Sequence, residues 1–107
     1  MKKQLLIIAT LDTKGREARY VRNCAIKLGV QPVVMDIGVI GKPFIKPDIT
    51  NRELTEAAGY DLEELIRSHD RPLAVTALKE GGRIVANHLL QKNQFNGVIG
   101  LGGGTGT

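Results

Sequence analysis

Two short stretches hold residues whose type and spacing suit chemistry on an anion. The first closes the 107-residue chain: Gly100-Leu101-Gly102-Gly103-Gly104-Thr105-Gly106-Thr107. Glycines let successive N–H groups turn inward and approach an anion closely, and the threonine hydroxyls add donors. The stretch is not a Walker A loop, because no Gly-Lys-Ser/Thr follows. It is not a GxGxxG fingerprint, because Thr105 stands where the third glycine of a match from Gly100 would be. Phosphate binding is the functional reading, and a plain hinge is the competing one. The second stretch is Thr10-Leu11-Asp12-Thr13-Lys14-Gly15. Thr10, Thr13 and a helix N-terminus offer donors to phosphate, Lys14 offers a point charge, and Asp12 could hold magnesium or a ribose hydroxyl. Helix capping by Asp12 or Thr13 is the bland alternative.

Asp36 lies about twenty residues beyond, the separation at which dinucleotide-binding folds place the acid that reads a ribose. On that residue alone rests a weaker reading, a nicotinamide-dependent dehydrogenase domain. His69 and His88 stand too far apart for a local metal motif, and Cys24 is the one cysteine, so no zinc spacing arises. His88 is expected to be a partly buried structural residue, and Cys24 to border the core. No Gly-x-Ser-x-Gly elbow is present, and no nucleophile is nominated.

These residues need a scaffold that brings them to one edge. Gln4 to Thr10 is a continuous apolar run, as in a strand buried on both faces of a parallel sheet. A helix is expected from about Arg16 to Leu28, with Ala18, Val21, Ala25 and Leu28 as its apolar seam and Gly29 as its stop. Val30 to Ile37 reads as a second strand, making a right-handed strand–helix–strand unit. Val39 to Ile49, with Gly41, Pro43 and Pro47, reads as a long loop. Asp48 or Thr50 then caps a short helix ending at Gly59, with Glu53 completing a capping box on Thr50. Asp61 to Ser68 is another short helix.

The last helix starts near Asp70, with Pro72 in its first turn. Its expected buried face is Ala74, Ala77, Leu78, Gly81, Ile84, Val85, His88 and Leu89. Gly81-Gly82 marks either a close approach to the sheet or a break into two helices. Asn96 to Leu101 is the third strand. The fold class is therefore α/β: a Rossmann-like three-layer parallel sheet, with residues 1–107 as the N-terminal part of a single nucleotide-binding domain. Three parallel strands leave open edges, so completion by the rest of a longer chain or by another copy is expected.

Composition narrows the classes further. With 42% hydrophobic residues, wholesale disorder is excluded. No apolar run approaches the ~18 residues of a membrane span, and a lone cysteine fits a reducing compartment; the expectation is a cytoplasmic protein away from membranes. The net charge is +4, from 15 Lys+Arg against 11 Asp+Glu. Those basic residues are scattered rather than gathered into a stripe with interleaved aromatics, which argues against nucleic acid as the partner.

Ile8-Ala9-Thr10-Leu11-Asp12-Thr13-Lys14-Gly15, Met35-Asp36-Ile37-Gly38, Asp48-Ile49, Asp70-Arg71 and the closing Val98 to Thr107 together resemble the ATP-binding N-terminal domain of the tomato mosaic virus resistance protein and its bacterial relatives. The likeness runs along essentially the whole chain but covers only the beginning of the family domain. Those relatives tend to have Asp-Arg-Gly where this chain has Asp70-Arg71-Pro72. The resemblance implies a Rossmann-like sheet and bound ATP, with or without magnesium, in a crevice completed by further residues. Carried over residue by residue, it implies a nucleotide-facing set of Thr10, Asp12, Thr13, Lys14, Gly15 and Asp36 with Gly102, Gly103, Gly104, Thr105, Gly106 and Thr107. The alternative from another class is a protein-interaction or oligomerisation module without catalysis.

Overall fold

The computed structural model describes residues 3–39, 42–92 and 95–101. Three strands, β1 (Gln4–Ala9), β2 (Gln31–Asp36) and β3 (Gly97–Leu101), form one parallel sheet in the order β2-β1-β3. The central β1 pairs Leu6 with Val33 on one side and with Val98 on the other. Its apolar run is therefore buried from both faces: Leu6, Ile7 and Ala9 are fully enclosed. Alternation along the strand divides the core in two. Ile7 and Ala9 join Leu11, Ala18 and Val34 beneath α1 (Leu11–Lys27). Leu6 joins Met35, Leu54 and Leu78 on the opposite face, covered by α2 (Asn51–Ala57) and α4 (Arg71–Gln91), with α3 (Leu62–Ser68) between them in sequence. This is the α/β, Rossmann-like layering that the sequence pattern predicts.

Helix boundaries differ from expectation at instructive places. α1 begins at Leu11, not near Arg16, because Thr10–Lys14 closes a helical turn of its own: the N–H groups of Thr13 and Lys14 both donate to the Thr10 carbonyl. A non-helical Lys14 then separates that turn from the rest of the helix. At the other end Leu28 does not join the seam. It is the C-cap, and its side chain is 80% exposed. Gly29, at φ 77°, and Val30 donate back to Ile26 and Ala25 in a Schellman arrangement that turns the chain toward β2.

Thr50 is the N-cap of α2, with the full capping box to Glu53. Asp48 acts elsewhere: its Oδ2 accepts from the Val34 N–H at 2.7 Å, while Ile49 bridges Met35. That pair closes the outer edge of β2. α4 runs unbroken through Gly81-Gly82. A Cβ on Gly81 would land on the Leu54 backbone of α2, and one on Gly82 would reach only Met35 Sδ at 3.8 Å. The glycine pair is thus a close-approach site, chiefly against a helix rather than the sheet. Past that crossing Ile84 and His88 are exposed, contrary to the expected buried face, while Val85 and Ala86 pack against the Leu6 cluster.

Candidate functional site

Parallel strands joined by crossover helices place every strand's carboxyl end, and every crossover helix's first turn, on one side of the molecule. β1 runs to Ala9, which pairs with Leu101 at the end of β3, while the Ile37 N–H donates to the Ala9 carbonyl from the β2 side. Thr10 through Gly15 leaves β1 at the point where the chain passes leftward to β2 and returns to the right as β3. This is the switch point at which open α/β sheets bind ligands.

The first turn of α1 supplies the polar groups. Thr10 Oγ1 and Thr13 Oγ1 are 2.9 Å apart and share a hydrogen bond. Lys14 Nζ lies 3.6 Å from Glu17 Oε2 in a half-exposed pair, a contact weak enough for the ammonium to exchange it for an anion. Gly15 is buried, and a Cβ there would collide with Phe44. Phe44 is anchored by its N–H donating to the Leu11 carbonyl, and the Arg16 and Arg19 guanidiniums sit over its ring at 5.6 and 5.0 Å. The glycine thus lets the 42–49 segment fold down over the turn.

Neither Asp12 nor Thr13 caps this helix in the expected way, and the Thr10 side chain makes no cap hydrogen bond. The cap comes from β2. Asp36, only 3% exposed, accepts at one oxygen, Oδ1, from the N–H groups of Leu11 (3.1 Å) and Gly38 (2.8 Å). The Gly38 carbonyl in turn accepts from Asn51 Nδ2 at 2.8 Å. A Cβ on Gly38 would stand 2.7 Å from Asp12 Oδ1 and 3.1 Å from Asp36 Oδ1, so both carboxylates crowd one glycine. Burial pushes the Asp36 carboxyl above its ordinary value, the two backbone donors pull it back, and neighbouring Asp12 raises it further. Asp36 therefore holds the start of α1 and the β2 exit loop in fixed relation.

Residues 3–107 match the family described as the uncharacterised protein family (UPF0261) N-terminal domain. The chain belongs to this family. It is 34% identical over 107 residues, 100% of the chain and 26% of the relative, to a UPF0261 protein of Clostridium tetani. It is 33% identical over 104 residues, 97% of the chain and 25% of the relative, to one of Brucella suis. A Rhizobium meliloti member is 30% identical over 105 residues, 98% of the chain and 25% of that relative. The chain spans about a quarter of the length of these curated relatives. No solved structure matches it.

Of the sequence-nominated residues of this UPF0261 domain, Thr10, Asp12, Thr13, Lys14, Gly15 and Asp36 come together at the carboxyl edge. Gly102, Gly103, Gly104, Thr105, Gly106 and Thr107 lie outside the described residues. Gly38, Asn51, Glu17 and Phe44 were not nominated and belong to the same neighbourhood. Gly38 had a signal in Asp36-Ile37-Gly38, a glycine directly after a strand-ending acid. Phe44, one aromatic among prolines, had none. No helix among the described residues is long and apolar enough to cross a membrane.

Proposed function

We propose that this UPF0261 domain binds ATP, with or without magnesium. In this reading the triphosphate is held between the first turn of α1 and the glycine–threonine tract that follows Leu101. The observation that carries it is the register of β1 and β3: Ala9 and Leu101 are neighbours, so the two anion-suited stretches leave adjacent strands at the same edge. Thr10 and Thr13 hydroxyls and Lys14 are the phosphate donors in this reading. Asp12 is the group suited to magnesium or to the ribose, and Asp36 contributes by fixing α1 against Gly38. The likeness of TLDTKG and the closing glycines to an ATP-binding domain supports the same assignment.

The test compares this chain with a full-length family member such as the Clostridium tetani protein, by calorimetry with and without magnesium. Lys14→Ala, and separately Gly104→Val, should weaken ATP binding by about tenfold, equal to ~1.4 kcal/mol, with the thermal midpoint unchanged. Equal affinity in both variants would sink the reading.

One observation favours a second reading, assembly through the sheet edge. The outer edge of β2 is closed by Asp48 and Ile49, whereas β3 has no strand beyond it among the described residues. Register with β1 puts Val98 on the α4 side and Ile99 on the α1 side, and they stay 48% and 37% exposed. Unpaired apolar edges recruit strands, here a second copy of this chain. Sedimentation should give a mass that rises with concentration, and Val98→Lys should hold the chain monomeric. A wild-type chain that stays monomeric at high concentration would count against this reading.

A further inference from the structure

At the α3–α4 junction, against Val39 just past β2, lies a cavity of about 410 Å³ that none of the residues discussed so far requires. Its floor is apolar, Val39, Leu65 and Ala74, with the half-exposed Ile66 at its mouth. Its rim is polar: His69, Asp70 and Arg71, the junction of α3 and α4. The volume falls within the roughly 300–1,000 Å³ of small-molecule pockets, and an apolar floor with a few polar groups is their usual make-up.

Its place in the fold ties it to the crevice. α4 is a crossover helix, so its first turn at Arg71 sits on the carboxyl side of the sheet with the first turn of α1. Val39 directly follows Gly38, the residue held by Asp36 and crowded by Asp12. The wall of the cavity is therefore one residue away from the acids that flank the α1 N-terminus.

The rim is built, not incidental. Asp70 Oδ1 accepts from the Leu73 N–H at 3.0 Å, and the Asp70 N–H donates to Ser68 Oγ, which pins the α3–α4 junction. His69 ends α3 as its C-cap in the left-handed region, φ 55°, and lines the cavity beside Asp70 and Arg71.

We infer that this cavity takes the heterocyclic base of the nucleotide, an aminopurine. Its flat faces suit the Val39, Leu65 and Ala74 floor. A carboxylate can accept from the exocyclic amine while the guanidinium or imidazole donates to ring nitrogen. The inference rests on the ATP reading above, in which the phosphates anchor the molecule at the first turn of α1.

Two variants and two fragments test it. Ile66→Trp fills the mouth from a residue that is 47% exposed, so folding is preserved. His69→Gly removes the imidazole at a position whose backbone suits glycine. Adenosine alone should shift the methyl signals of Val39 and Leu65 in NMR titrations. ATP should bind Ile66→Trp about tenfold more weakly and His69→Gly several-fold more weakly, with tripolyphosphate affinity unchanged in both. Tripolyphosphate that binds while adenosine leaves those methyls unmoved, or ATP affinity equal in both variants, overturns the base assignment alone. No tripolyphosphate binding to the wild-type protein overturns the phosphate reading, and this one with it.

Discussion

Gly81→Ala should destabilise the fold by about 3 kcal/mol, at the upper end of overpacking effects, although alanine in a helix interior ordinarily gains ~1 kcal/mol over glycine. The reversal follows from what the new methyl would meet. It would land on the Leu54 carbonyl, with the Leu54 Cα 3.0 Å away. This is backbone, which cannot swing aside as a flexible side chain can. Relief requires α2 to move off α4, and Leu54 cannot leave cheaply. It is fully enclosed against Leu6, Met35 and Leu78, and Thr55 beside it is equally buried. Gly82→Ala is the internal control, because its Cβ would make only an ordinary contact with Met35 Sδ at 3.8 Å. Urea midpoints should therefore fall sharply for the first variant and hold or rise slightly for the second. Stabilisation by both would mean that the helices are not in backbone contact at Gly81.

The same glycine pair shows how far a sequence carries a fold. Gly81-Gly82 announces a close approach or a break, but which neighbour comes close depends on the packing of an element some thirty residues earlier. Patterns local to one element were legible: the apolar β1 run, the capping box of Thr50 and Glu53, Gly29 as a helix stop, Pro72 in a first turn. Features set by contact between distant segments were not. Leu28 and Ile84 continue an apolar stripe in sequence, yet among the described residues they are exposed, at 80% and 37%. The site divides in the same way. Thr10, Asp12, Thr13 and Lys14 announce themselves by type and by their place after a strand. That Asp36 caps α1 from the neighbouring strand, in place of Asp12 or Thr13, depends on a 25-residue separation that no local motif encodes.

That cross-strand cap yields the second large effect. Asp36→Ala removes the acceptor for the Leu11 and Gly38 N–H groups at once, and orphaned buried donors cost about 1–3 kcal/mol each. The expected loss is about 3 kcal/mol, with α1 loosened at its first turn. Asp36→Asn keeps an oxygen in place and removes a charge that burial and Asp12 both oppose, so at neutral pH its stability should stay near that of the wild type.

The pH dependence separates charge from hydrogen bond. The native Asp36 carboxyl titrates above the ordinary 3.8, so between 3.8 and that higher value the folded protein binds more protons than the unfolded chain. Stability from this group is then highest in acid and falls as pH rises through the window, after which the deficit is constant. The wild-type stability minus that of Asp36→Asn, from urea unfolding at stepped pH, should therefore fall across the window. A difference that rises with pH would mean that the two backbone donors outweigh burial and hold Asp36 ionised. The acid would then stabilise the site through its charge, and the Asn variant would lose stability at neutral pH along with the Ala variant.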